Sequence, residues 1–281
     1  MRPQKTLAQP VELEGLGVHS GRPVRLRLLP SRAGEIVFRR TDLDGAELPL
    51  RLDNVESRYS TTLVGERFKV QTVEHLLAVL FAYGVDSLVI TLDADEVPIM
   101  DGSALPFVRA LERAGIAELP VLGPVLRVER TVLSEEKDAW VRLDPAPDGA
   151  GLLLEYTIVY SHPIIGTQRW ILSLTPAVFA EEVAPARTFG FLKDVEFYHK
   201  QGLALGASYD NTVVLDDAAV INPPLRFPDE FVRHKLLDLT GDLALLGRPL
   251  AAKVTAYKAG HRLHLESLRF LLAHPEYWTE D

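Results

Sequence analysis

The sequence predicts an α+β protein made of two related halves. Three observations carry this expectation. Segments that read as strands occur on both sides of the chain's midpoint, those at 22–29 and 34–39 by alternating apolar and polar residues. Each half also holds an apolar helix with a histidine in its first turns, followed by an apolar strand: His75-Leu76-Leu77 leads to Gly84, and His234-Lys235-Leu236-Leu237 leads to Gly247. Between them, Pro and Gly cluster at 118–124 (ELPVLGP), which predicts a linker. The expected division is 1–121 and 125–281, two α+β units whose helices face each other.

In chain order, residues 22–29 (RPVRLRLL) and 34–39 (GEIVFR) read as strands. Residues 73–83 (VEHLLAVLFAY) form a helix-forming apolar run, with Thr72 as the expected N-cap and Gly84 as the stop. A buried strand follows at 87–92, and a second helix at 104–115, entered through the turn Asp101-Gly102-Ser103. Beyond the break, strands are predicted at 125–133, 139–143 and 152–160, and a helix at 175–182. The segment 197–211, rich in Gly, Ala and Ser, reads as an irregular insertion. A helix over 229–246, a strand over 250–257 and a helix over 263–273 complete the chain.

Composition narrows the function. The 281 residues are 47% hydrophobic and 25% charged, the profile of a soluble globular protein. No apolar run approaches the roughly 18 residues of a membrane span, and MRPQKTLAQPVELEG at the start has no signal-peptide core, so a cytoplasmic protein is expected. A formal net charge of -9 argues against a general nucleic-acid-binding surface. With no cysteine, the chain has no disulfide, thiol nucleophile or thiolate metal site. A zinc site would have to use His and carboxylate, and three such ligands plus water is the usual catalytic arrangement.

The candidate chemistry centres on DEFVRHKLLDLTGDL (229–243). His234, Asp238 and Asp242 are spaced i, i+4, i+8 and share one helix face beside an apolar stripe. Buried carboxylates there would need a cation or a donor. Alone, the same stripe also suits a solvated face with i,i+4 pairs. His-x-x-x-Asp supplies two ligands, and His75 could complete a three-ligand site, with the adjacent Glu74 as base to the water. In isolation Glu74-His75 reads equally as a capping Glu and a partly exposed His. His261, after the strand 250–257, could return to the same place, with Asp242 orienting its ring; without context it is a surface-loop histidine. His199, His264 and His274 read as surface or structural, and His19 and His162 as pocket candidates.

These segments, together with GLGVHSG (15–21), FRRTD (38–42), TVEHLLA (72–78), EVPIMDGSA (96–104), HP (162–163), ARTFGF (186–191) and TAYKAGH (255–261), resemble the UDP-3-O-acyl-N-acetylglucosamine deacetylases, zinc-dependent enzymes of the committed step of lipid A synthesis. The resemblance spans most of the chain. It implies two two-layer sandwiches packed through their helices, each with an insert. It implies one zinc ion on His75, His234 and Asp238, Glu74 as general base, and His261 with Asp242 as electrostatic stabiliser and acid. Thr188 then helps hold the oxyanion, Lys235 contacts the hexosamine or diphosphate, and Phe189 and Gly190 line the pocket beside the sugar. Tyr160 and His162-Pro163 fall near the nucleotide. Leu192, Val195, Ala204, Ser208, Thr212 and Val214 are the matching positions of an acyl-chain passage in the second insert. Ser60 stands where some members carry Cys, and Ala139 where a basic residue is expected before Trp140.

The implied partner is the small-molecule substrate, UDP-3-O-acyl-N-acetylglucosamine, with a monomeric chain, no nucleic acid, and at most transient membrane proximity. Two other readings stay open at this point. One is a hydrolase of another acylated nucleotide sugar, favoured if no passage forms in 192–214. The other is a nucleotide-sugar binder without turnover, which need not hold a metal.

Overall fold

The computed structural model describes residues 1–147 and 151–281. Its helices are α1 (Glu74–Tyr83), α2 (Leu105–Ala114), α3 (Pro176–Val178), α4 (Val195–Lys200), α5 (Glu230–Leu243) and α6 (His261–Ala273). Among the described residues, no helix is long and apolar enough to cross a membrane.

The helix-then-strand similarity of the sequence is a repeat of topology. In the first half the strand after α1, Leu88–Leu92, is antiparallel to Pro23–Pro30 and parallel to Ile36–Arg40. Val11–Leu16 and Ala46–Pro49 extend this sheet at its two edges, both antiparallel. In the second half the strand after α5, Leu250–Tyr257, is antiparallel to Ala139–Asp144 and parallel to Leu152–Val159. Val132–Glu136 and Thr167–Ser173 flank that set, again antiparallel. The two sheets therefore share strand order and direction, and the fold is α+β with two related halves.

Each sheet alternates buried and exposed residues, as in Pro23–Pro30, where Val24, Leu26 and Leu28 point inward. The inward faces carry the helices. α1 and α5 lie between the sheets and pack on each other. That position explains why they are buried nearly all round: in α1 every residue but Phe81 is buried. It also takes the polar residues of α1 and α5 out of water, so the sequence stripe on α5 is not a solvated face. The helices approach closely because Gly241 has no side chain; a Cβ there would sit 2.1 Å from the Glu74 carbonyl oxygen.

Two expectations need correction. The segment 118–124 is not a linker: Ile116–Gly123 is a strand antiparallel to Arg2–Leu7, and only Pro124 and Val125 pass to the next strand, Leu126–Val128. The Pro and Gly are tolerated because this is a two-stranded ribbon whose pairing is interrupted by a register shift. Thr72 is not the N-cap of α1. It has left-handed backbone (φ 57°), and its hydroxyl donates to the buried Glu96 carboxylate at 3.0 Å. Val73 occupies the cap position without a side-chain bond, while Gly84 (φ 70°) does end the helix.

Both inserts lie between the outer edge strand of a sheet and the helix that follows. The first is the small sheet of Val55–Ser57, Thr61–Val64 and Lys69–Val70. The second runs from 174 to 229. It starts with α3, capped by Thr175 and continued by a wide turn over Phe179–Val183, and includes α4 and a parallel pair, Phe189–Phe191 with Val213–Leu215. The segment read as an irregular insertion thus begins within α4.

Candidate metal centre and its cleft

His75 stands in the first turn of α1, and His234 and Asp238 stand one turn apart on α5. Because these helices pack together, the three residues converge, with donor atoms all within 4.8 Å of one another. Asp238 Oδ1 lies 3.5 Å from His234 Nε2 and 3.8 Å from His75 Nε2. The imidazole rings meet edge to face at 5.0 Å. His234 Nδ1 donates to the Ala186 carbonyl at 3.1 Å, which leaves Nε2 bare and aimed at the cluster.

The charge states suit a metal. Burial, reinforced by the neighbouring His234, pushes His75 down to about 3. Burial also lowers His234. Asp238 lies well below the carboxylate range despite burial, because Lys235 and His234 stand beside it. The Lys235 ammonium donates to Asp238 Oδ2, the oxygen other than the one nearest His75 and His234. His75 Nδ1 is buried and has no hydrogen-bond partner among the described residues. Two neutral imidazoles and one carboxylate, with an orphaned buried nitrogen, fit a divalent ion of the zinc type.

Glu74 adjoins this cluster. The Thr61 N–H donates to its Oε2 at 3.0 Å, and its Oε1 lies 3.9 Å from His261 Nε2. Burial pushes Glu74 up to about 7, against the pull of His261 and with the help of Asp238. His261 begins α6, and its Nδ1 donates to Asp242 Oδ2 at 2.7 Å. Burial alone would lower His261, but Asp242 outweighs it and raises the imidazole to about 9. Asp242 in turn is held down at about 2 despite burial, chiefly by His261 and His264.

A cleft of about 410 Å³ opens over these groups. Of the residues singled out in the sequence, Glu74, His75, His234, Lys235, Asp238, His261, Thr188, Phe189, Gly190 and Tyr160 line it. So do Val195, Ala204, Thr212 and Val214 of the second insert, and His19. Asp242 sits behind His261 rather than at the wall. Leu192 and Ser208 do not line the cleft. Leu192 opens a short turn with its side chain 47% exposed, and Ser208 is turned into a local knot, its N–H on Asn211 Oδ1 and its hydroxyl accepting from the Asp210 N–H. His162 is buried beside Phe191 and bonded to the Asp216 carbonyl, outside the cleft wall.

Sequence reasoning missed Thr61 and His264. Thr61 touches both Glu74 and Asp242, its hydroxyl donating to Asp242 Oδ1 at 2.6 Å. No spacing rule links it to helices far along the chain. His264 is fully buried, with Nδ1 on Asp242 Oδ2 at 2.7 Å. Its i+3 spacing from His261 was the available signal. Asp242, His261 and His264 also gather donor atoms within 4.8 Å. Both imidazoles, however, spend an N–H on one carboxylate oxygen, so this is a proton-bearing network rather than a second ligand set.

An α+β chain that brings two neutral imidazoles, an ionised carboxylate, a carboxyl poised near neutrality and a cationic histidine to one cleft has the equipment of a metal-assisted hydrolase. The comparisons with known proteins give that class a family. A family profile described as LpxC, UDP-3-O-acyl N-acetylglycosamine deacetylase, matches residues 4–273. Proteins named UDP-3-O-acyl-N-acetylglucosamine deacetylase are similar over nearly the whole chain. That of Nautilia profundicola is 43% identical, covering 93% of this chain and 89% of its own length. That of Sulfurimonas denitrificans is 41% identical, covering 95% and 92%. That of Pseudoalteromonas translucida is 43% identical, covering 98% and 92%. The chain belongs to the UDP-3-O-acyl N-acetylglycosamine deacetylase family.

Proposed function

We propose that this protein removes acetate from the 2-acetamido group of UDP-3-O-acyl-N-acetylglucosamine, in lipid A biosynthesis, with one zinc ion held by His75, His234 and Asp238. The observation that carries the reading is the convergence of α1 and α5, which sets Glu74 and the three donors at one cleft that His261 also faces. A bound zinc ion supplies Lewis acidity at the amide carbonyl and at the attacking water.

The chain's own groups do the rest. Glu74 Oε1 takes a proton from the water as its oxygen bonds to the carbonyl carbon. Negative charge on the carbonyl oxygen is met by Thr188 and by the imidazolium of His261. When the carbon–nitrogen bond breaks, the proton at His261 Nε2 goes to the departing amine; the Asp242 carboxylate bonded to the ring favours the protonated form beforehand. Asp242 fixes the His261 ring and balances its charge. Lys235, Phe189, Gly190 and Tyr160 orient the sugar nucleotide, and Val195, Ala204, Thr212 and Val214 form the apolar wall for the acyl chain. We assign the two halves, divided at Pro124 and Val125 rather than within the strand Ile116–Gly123, as domains of a cytoplasmic monomer that takes this small molecule and no nucleic acid.

The test is acetate release from the UDP-acyl-sugar. Activity is expected in the wild type, is lost with chelator, returns with zinc, and is strongly reduced in Glu74→Ala. Undiminished turnover after complete metal removal would overturn the reading.

A further inference from the structure

Asp242 presents a carboxylate with no exposed surface and three donors. Thr61 Oγ1 donates to Oδ1 at 2.6 Å, while His261 Nδ1 and His264 Nδ1 both donate to Oδ2 at 2.7 Å. Rotation of a carboxylate about its terminal torsion moves both oxygens away from their donors, so each of the three donors adds to the restraint on its plane. His264 is itself packed against the buried Tyr156, with its Nε2 3.2 Å from the hydroxyl and the two rings edge to face at 5.8 Å. That hydroxyl donates to the Ala259 carbonyl at 2.7 Å, in the turn immediately before His261. The same short chain of groups thus holds the partner of the His261 ring and the backbone that delivers it. Burying an imidazole carries a desolvation cost, which the bond to Asp242 offsets, and nothing in the reaction steps above uses this one.

We propose that His264 is a positioning residue for His261, acting through Asp242, with Tyr156 as its anchor. This rests on the deacetylase reading, in which His261 meets the reacting group. What the position demands is one N–H where Nδ1 stands. Asparagine can offer an amide N–H close to that point, whereas glutamine reaches toward the Nε2 position and leaves Asp242 unmet.

The experiment compares His264→Asn, His264→Gln and His264→Leu with the wild type, all zinc-loaded, for kcat, KM and thermal midpoint. His264→Leu and His264→Gln should lower kcat about 10-fold or more with KM within about twofold, and His264→Asn should restore kcat to within about threefold of wild type. Imidazole proton–nitrogen spectra give a readout that needs no turnover. The downfield Nδ1–H signal of His261 should persist in His264→Asn and exchange faster with water in His264→Gln. If glutamine leaves kcat and that signal unchanged, or if asparagine and glutamine are equally impaired, the proposal is wrong. If His264→Leu fails to fold, the asparagine–glutamine pair and Tyr156→Phe, expected to lower kcat by a smaller factor, decide the matter. A wild type that releases no acetate yet shows the His264-dependent signal would sink the deacetylase reading and leave the positioning contact standing.

Discussion

Glu74 and His261 face each other at 3.9 Å, and both hold their protons to higher pH than usual. Burial raises the carboxyl to about 7, and Asp242, overcoming burial, raises the imidazole to about 9. The base works ionised, so activity should climb as pH rises through the lower value. The acid works protonated, so activity should fall through the upper one. These limits belong to the metal-free chain and to the pair as a unit; a divalent charge nearby favours proton loss from both groups. The kcat profile of the zinc-loaded enzyme should therefore be a bell displaced to lower pH than 7 and 9, with Glu74→Gln cutting kcat by about 100-fold or more. A profile flat from pH 5 to 10 would contradict both assignments. At this scale the sequence showed its helix-borne groups well, because i, i+4, i+8 spacing places His234, Asp238 and Asp242 without knowledge of the fold. It hid Thr61 and His264, whose partners are set by tertiary packing. Leu192 and Ser208 went astray because insert residues carry no periodicity that says which way they face.

The pairing of α1 with α5 sets the metal centre, and Gly241 sets the pairing. In an ordinary helix, Gly→Ala is favourable by about 1 kcal/mol. Here the added carbon would meet the Glu74 carbonyl oxygen at 2.1 Å, and overpacking of that kind costs about 1–3 kcal/mol. The steric cost wins, because the obstacle is backbone. Gly241→Ala should lower the thermal midpoint and, by spreading the helices, weaken zinc affinity more than it alters the circular dichroism spectrum. Zinc titration in competition with a chelator measures this, and unchanged affinity would show that the helices have slack. Apolar periodicity made the long elements legible, and the strand 250–257 is found where it was expected. Ile116–Gly123 misled because its Pro and Gly are turn signals in isolation, and only pairing with Arg2–Leu7 makes the segment a strand. Thr72 misled for a similar reason, since its hydroxyl is captured by Glu96, distant in sequence.

For the whole molecule, ligand binding and proton binding both become stability. A metal that binds only the folded chain stabilises it by about 2.7 kcal/mol at 100 times its dissociation constant, so chelation should lower the thermal midpoint and zinc should restore it. In the metal-free protein the sign of the pH effect follows from His261. Its folded value, about 9, exceeds the ordinary 6.5, so its stabilising contribution is complete below 6.5 and is lost as pH rises toward 9. Glu74, raised from 4.5 to about 7, removes stability over the earlier interval, while His75, depressed to about 3, adds it between 3 and 6.5. Between pH 7 and 9 the His261 effect is left largely unopposed by these two. The midpoint of the apo protein should fall by a few degrees there, and the fall should be much smaller in His261→Gln. An apo midpoint that rises over this interval would contradict the ion pair with Asp242. The repeat of sheet order was visible in outline from two histidine-bearing helices, but strand direction and edge order are properties of pairing that one sequence does not display.

The proposed ligands come from distant stretches of the chain: one imidazole, at position 75, is made well before the donors at 234 and 238. A ribosome that has finished the first half has yet to produce a complete chelate. On the proposed ligand set, an ion can be seated only when both halves are present, and it would then act as a clasp whose retention reports that the two halves have closed on each other.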